Sequence, residues 1–143
     1  MQGPIVLDTS VIIKWFRHGE VLAQQALALR EAYLDGQIEV TLPSLLAYEL
    51  ANVLRYKVDL SAEQVQAAVR SLFDMDLTWV LPSSAVMGRA GELARTHDTT
   101  VYDATFAALA ESLGATFVTA DARLVRRLEA LRCVRFLGRI ADA

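Results

Sequence analysis

The chain has 143 residues, 54% of them hydrophobic and 22% charged, which suits one ordinary globular domain with a real core. A net charge of −3, from 14 basic and 17 acidic residues, excludes a protein held to nucleic acid by overall charge. The apolar runs are too short to span a bilayer, no basic region followed by an apolar core opens the chain, and a lone cysteine, Cys133, can form no internal disulfide. A single domain over residues 1–143, cytoplasmic and away from membranes, is the expectation.

Ile5-Val6-Leu7 is a short apolar run of the kind that forms a buried parallel strand. Asp8 ends it, and Thr9 and Ser10 follow. Thr9 to Phe16 reads as a short helix, Gly19 as a break, and Glu20 to Leu34 as a helix stopped by Asp35-Gly36. Glu39–Leu42 is a second strand. Pro43 is expected to open the next helix, Ser44 to Lys57. Ser61 and Gln64 form a capping-box pattern for a helix to Phe73. Leu77–Leu81 is a third strand, and Pro82-Ser83-Ser84 starts a helix to Arg95. After the polar connection His97–Thr100, a helix runs from Val101 to Leu113, closed by Gly114. Ala115–Val118 is a strand, Ala122–Leu131 a helix and Cys133–Leu137 a last strand, with Cys133 as a small buried strand residue. Strands alternating with helices argue for a parallel sheet covered on both faces.

Charge is uneven along the chain. The first 120 residues hold 8 basic and 14 acidic groups, the rest 6 and 3. The late basic residues are all Arg, a side chain suited to bidentate phosphate contact; a solvated helix face is the plainer alternative.

Three acids stand at junctions: Asp8, Asp103 and Asp121. Each has a local explanation, as a helix N-cap for Asp8 and Asp121 and as the acid of a Thr100-x-x-Asp103 capping box. Glu49 lies inside a helix and could be a surface residue. Together they mean more. Asp8 and Asp121 follow strands of one parallel sheet and so project from the same edge, where ligands of open α/β sheets bind. Asp103 begins the helix leading into the second of those strands. Carboxylates converging there would repel and raise at least one pKa, an arrangement that a divalent cation with oxygen ligands makes tolerable.

Val6-Leu7-Asp8-Thr9-Ser10, Tyr48-Glu49-Leu50-Ala51-Asn52, Tyr102-Asp103-Ala104 and Thr119-Ala120-Asp121, in this order and spacing, resemble the PIN-domain nucleases. Among them the chain looks most like the VapC toxins of type II toxin–antitoxin pairs. The resemblance implies an α/β fold, a three-layer α/β/α arrangement around a mostly parallel five-stranded sheet. It implies Mg2+ (with Mn2+ as a substitute) bound by Asp8 and Asp103, with Glu49 and Asp121 completing an acidic catalytic pocket supported by Thr9, Ser10 and Thr119. The implied reaction is hydrolysis of RNA, with Arg123, Arg126 and Arg127 as substrate-binding residues and Lys14 and Arg17 as weaker candidates. A cognate VapB-type antitoxin and a homodimer are implied partners. The dimer contact is expected on the Pro43–Phe73 helical pair, against the plainer reading that Leu46, Leu50, Val53, Leu54, Val65 and Val69 are only core.

Other chemistries fit less well. His18 and His97 lie outside the acid motifs and read as surface residues, and no Gly-rich phosphate loop is present. A phosphoryl-switch receiver would want adjacent acids after the first strand and a late Lys, but the last Lys is Lys57. A phosphatase attacking through Asp would want an acid where Ser10 stands. The remaining alternative is a non-catalytic PIN-fold module that binds RNA or a partner.

Overall fold

The computed structural model describes residues 3–17 and 19–140; His18 lies outside them. Five strands, β1 (Pro4–Leu7), β2 (Glu39–Pro43), β3 (Thr78–Val80), β4 (Thr116–Thr119) and β5 (Val134–Phe136), form one sheet in the order β3-β2-β1-β4-β5, every pair parallel. Seven α-helices flank it among the described residues: α1 (Thr9–Ile12), α2 (Ala23–Leu34), α3 (Leu45–Arg55), α4 (Ala62–Asp74), α5 (Ser84–His97), α6 (Val101–Leu113) and α7 (Ala122–Arg127). None is long and apolar enough to cross a membrane.

Ile5, Val6 and Leu7 have no exposed surface, as expected of a central strand covered on both faces. The register pairs Leu7 with Val118, so one step further Asp8 stands opposite Thr119. The chain leaves β1 toward β2 and β3, then returns to the other side of β1 for β4 and β5. That reversal opens a crevice at the carboxyl ends of β1 and β4, the place where doubly wound sheets bind ligands.

Around the crevice the packing is dense. The α6 helix lies across β1, β2 and β4 and against α5. Its residues Ala104 to Ala110 are all buried, and Phe106 stacks on Phe117 of β4 with centroids 5.8 Å apart. This apolar stretch holds the first turn of α6, and Asp103 with it, at the sheet edge. On α3, Leu46, Leu50 and Leu54 recur at helical spacing and are fully buried. Trp15, in a 3₁₀ turn after α1, donates its indole N–H to the Ala26 carbonyl at 2.8 Å, which ties the start of the chain to α2.

Several boundaries differ from the sequence expectation. Pro43 does not open a helix; it ends β2, paired in register with Val80. Ser44 N–H then donates to the Val80 carbonyl at 2.9 Å, and α3 begins one residue later. Proline fits there because the last residue of a strand can dispense with its N–H. The α2 helix starts at Ala23 rather than Glu20, since Leu22 adopts a left-handed conformation (φ 64°) that a helix cannot include. α7 stops at Arg127, four residues early, and β5 begins after Cys133, which is half-buried just ahead of the strand. The α6 boundaries, Thr100 as N-cap and Gly114 as left-handed C-cap, match the expectation, and so does the Ser61–Gln64 capping box of α4.

Candidate active site

Asp8 occupies the N-cap position of α1, but its side chain makes no capping hydrogen bond. It is 7% exposed and accepts two hydroxyl protons instead. Ser10 Oγ donates to Oδ1 at 2.5 Å and Thr119 Oγ1 to Oδ2 at 2.6 Å. Each hydroxyl is itself aimed by a backbone amide: Ala120 N–H donates to Ser10 at 2.9 Å and Asp121 N–H to Thr119 at 3.1 Å. A hydroxyl has a single proton, so both are committed to the carboxylate. Their mutual approach at 3.2 Å is then contact only. The two hydroxyls fix the carboxylate from β1's own turn and from the neighbouring strand, and they favour its ionised form. Burial outweighs them and pushes the pKa up from 3.8 to about 6, with the negative charge of Asp103 adding to the rise.

Glu49 is half-buried rather than a free surface residue. Thr9 Oγ1 donates to its Oε1 at 3.0 Å across 40 residues of sequence. Burial raises its pKa, Thr9 works against the rise, and Asp103 adds to it. Asp103 sits in the first turn of α6. Only half of the expected capping box forms: Thr100 Oγ1 accepts the Asp103 N–H at 3.0 Å, and no reciprocal bond from the Asp103 carboxylate caps Thr100. That carboxylate is raised by burial first and then by Asp121, against hydrogen bonds from Thr100 and Thr99. Asp103 therefore stands electrostatically between the other three acids. Asp121 does cap its helix, accepting from Arg123 N–H at 3.0 Å and Leu124 N–H at 3.1 Å through the single oxygen Oδ1.

One cleft of about 230 Å³ is lined by Asp8, Thr9, Ser10, Glu49, Asn52, Val53, Asp103, Phe106 and Asp121. The four acids thus share a cavity with Thr9 and Ser10, while Thr119, fully buried, supports Asp8 from behind it. Asn52 and Phe106 were not anticipated as part of it. Asn52 could have been, because it lies one turn from Glu49 on α3. Among the described residues no Lys, Arg or His comes within ion-pair distance of any of the four acids. Three carboxyl groups are raised, and among the described residues no cation relieves them. An oxygen-rich, acidic donor set of this kind fits a hard divalent cation. The cleft is an open, acid-lined cup, and among the described residues no three acids, histidines or cysteines close on one point.

Beside the cup lies a second hollow that shares Asp103 and Asp121 and is also lined by Arg123 and Arg127. Arg127 is partly committed there, paired with the Asp98 carboxylate at 3.1 Å and donating to the Asp98 carbonyl. Arg126 lines neither hollow. Arg17 is occupied by Asp59, reached at 3.0 Å through both carboxylate oxygens.

A family model described as the PIN domain matches residues 5–130, a span that includes all four acids. The chain belongs to the PIN-domain family. Solved PIN-like structures superimpose over most of its length. A toxin–antitoxin complex from Klebsiella pneumoniae has a TM-score of 0.70 at 18% identity, covering 95% of this chain and 99% of that one. The Sarcin-Ricin loop cleaving toxin VapC20 of Mycobacterium tuberculosis gives 0.67 at 16%, with 85% and 93% covered. The DNA-bound VapBC of Salmonella typhimurium gives 0.66 at 18%, with 94% and 97% covered. At these identities the likeness establishes a shared fold. No curated protein matches the sequence. PIN domains are typically ribonucleases and generally bind Mg2+.

Proposed function

We propose that this PIN domain, acting as one domain over residues 1–143, is a Mg2+-dependent endoribonuclease and the toxin of a VapBC-type pair. The observation that supports the reading most is the acid cup itself: Asp8, Glu49, Asp103 and Asp121 share one cleft, three of them raised in pKa and none countered by a cation among the described residues. Asp8 and Asp103 would hold the metal, with Glu49 and Asp121 completing the cup. When bound, Mg2+ (or Mn2+) supplies the positive charge that neutralises the acids and polarises a phosphodiester.

The protein's own groups do the rest. Ser10 and Thr119 hold both oxygens of Asp8 so that the carboxylate cannot turn away from the cleft. Thr9 ties Glu49 by one oxygen, leaving the other as an acceptor for the proton of an attacking water. Arg123 and Arg127 lie where substrate phosphates approach the cup, while Arg126 is set apart from it. The toxin–antitoxin complexes among the structural neighbours support a VapB-type antitoxin as partner.

The same reading includes a homodimer. Leu46, Leu50 and Leu54 cannot contribute to its contact, being core residues without exposed surface, and Val53, Val65 and Val69 pack partly against that core. We place the contact instead on the open apolar groove that contains Tyr48, Leu81 and Tyr102, which are 77%, 79% and 63% exposed, since exposed apolar patches of this kind mark interaction sites.

The test is cleavage of purified RNA with Mg2+ and with EDTA, by the parent and by Asp8→Asn, Asp103→Asn and Asp121→Asn. Asn matches Asp in size at all three positions and caps a helix about as well at Asp121, the one of the three whose side chain caps; the variants are expected to fold and none to cleave. Variants that all cut like the parent would remove the acid cup as the active site, and a parent that does not cut with Mg2+ would leave the non-catalytic binding module in its place.

A further inference from the structure

The α3 face that carries Glu49 continues beyond the acid cup. Positions 49, 52, 53 and 56 follow the i, i+3, i+4, i+7 spacing of one helical stripe. Glu49, Asn52 and Val53 line the cup. Tyr56, the C-cap residue, keeps right-handed helical geometry (φ −86°, ψ −1°), so the stripe runs on into it. At the helical rise per residue, Tyr56 stands roughly 10 Å along the axis from Glu49.

Tyr56 is 66% exposed. The guanidinium carbon of Arg55 lies 4.4 Å from its ring centroid, a cation–π contact. Lys57 follows directly. Among the described residues Arg17, Arg30, Arg89 and Arg127 all pair with acids, whereas Arg55 and Lys57 do not. The segment is anchored on both sides: Lys57 N–H donates to the Leu54 carbonyl at 3.1 Å, Leu60 N–H to the Lys57 carbonyl at 3.1 Å, and Arg17 grips Asp59.

A strand of RNA crossing the cup meets four acids there, so its phosphates must be held by cations on the flanks. On the α7 side Arg123 lines the neighbouring hollow and Arg127 is shared with Asp98. On the α3 side Arg55 and Lys57, without an acid partner among the described residues, flank an exposed aromatic ring. Cations for the backbone and a ring for a base are what single-stranded nucleic acid requires, since every unpaired base presents a face for stacking. A span of roughly 10 Å corresponds to about three stacked nucleotides.

We propose that Tyr56, with Arg55 stacked on it, is a platform for an unpaired base of the RNA strand about three nucleotides from the scissile phosphate, with Lys57 contacting an adjoining phosphate. The proposal rests on the ribonuclease reading of the cup. Its test is the binding of a short fluorescent single-stranded RNA in EDTA, and its cleavage with Mg2+, by the parent, Tyr56→Ala and Tyr56→Phe. Tyr56→Ala weakens the Kd roughly 5- to 100-fold, Tyr56→Phe stays within about twofold because the stacking face remains, and neither alters binding of a duplex RNA. In cleavage, Tyr56→Ala raises KM by a similar factor and leaves kcat in place. Parent-like binding by Tyr56→Ala overturns the platform; so does a Tyr56→Phe as weak as Tyr56→Ala, or a parent that binds no single-stranded RNA. A patch that serves a protein partner gives the first of these outcomes. If the variants order as expected in binding while Mg2+ yields no cleavage, the platform stands and the nuclease reading falls.

Discussion

The α6 helix carries two acids with opposite fates. Near its end, Glu111 meets Arg89 of α5, which donates to it at 2.8 and 3.2 Å and to Glu92 at 2.6 Å. That cluster is complete: the hydrogen bonds that Arg89 donates to Glu111 raise the Arg89 pKa and keep the guanidinium charged. At its start, Asp103 faces Asp8, Glu49 and Asp121 with no cation among them, and its pKa is raised by burial and by Asp121. Where the chain provides the countercharge, a carboxylate is part of the scaffold. Where no such countercharge is in reach among the described residues, a cation is the ligand to look for.

Substitutions on the two sides of this contrast should differ sharply. The largest effect is on activity: Asp8→Asn lowers Mg2+-dependent RNA cleavage by more than about 100-fold, read by initial rates on a defined RNA, while Glu111→Gln leaves those rates unchanged.

Next comes pH. The folded pKa of Asp8, about 6, lies above its ordinary 3.8. Below 3.8 both the folded and the unfolded chain hold the proton, and the favourable contribution is whole. As pH rises the unfolded chain ionises first, and the contribution is lost by the time pH has passed 6. In EDTA the parent is therefore less stable at pH 7.5 than at pH 4 by about 2 kcal/mol from this group, and Glu49 and Asp103 act in the same direction. Asp8→Asn lacks that component, so chemical denaturation across this range gives a shallower pH profile for the variant. Superimposable profiles contradict the burial of a charged Asp8.

Thr119→Val removes a buried hydroxyl that donates to Asp8 and accepts from Asp121 N–H. It costs about 1–3 kcal/mol of stability, measured by urea denaturation, and lowers cleavage by freeing the Asp8 carboxylate to turn. Asp121 separates capping from chemistry within one residue: Asp121→Ala loses about 1 kcal/mol of stability, Asp121→Asn only a few tenths, and both lose cleavage. Smallest is Glu111→Gln itself, at less than about 1 kcal/mol, because the Arg89 cluster is partly exposed and screened.

Much of this was legible in the sequence where a local rule decides the outcome. The short apolar run before Asp8, the Thr100 N-cap, the Gly114 C-cap and the Ser61–Gln64 capping box each act over a few residues. Strand–helix alternation brings Asp8 and Asp121, with Asp103 just ahead of β4, to one edge of the sheet; Glu49, inside α3, joins them only through the family resemblance. What escaped depends on contacts distant in sequence. Pro43 has the local mark of a helix start, yet Val80, far along the chain, pairs with it and keeps it in β2. Leu22 takes a left-handed conformation that its residue type does not announce. Whether Asp8 caps a helix or faces a cleft turns on Thr119, 111 residues away, and the pairing of Arg17 with Asp59 spans 42 residues. On the Pro43–Phe73 helical pair the spacing of the leucines marks core and interface alike, and the packing of α3 resolves Leu46, Leu50 and Leu54 as core, the plainer reading.

The central claim is that the acid cup takes up a divalent cation that the Arg89 cluster neither needs nor binds. Titration of Mn2+ into the metal-free protein, followed by the electron paramagnetic resonance of the free ion, tests it directly. The account predicts binding by the parent and by Glu111→Gln with the same affinity, and a loss of at least about tenfold in Asp8→Asn. A parent that leaves all the Mn2+ free, or an Asp8→Asn variant that binds it as the parent does, would contradict it.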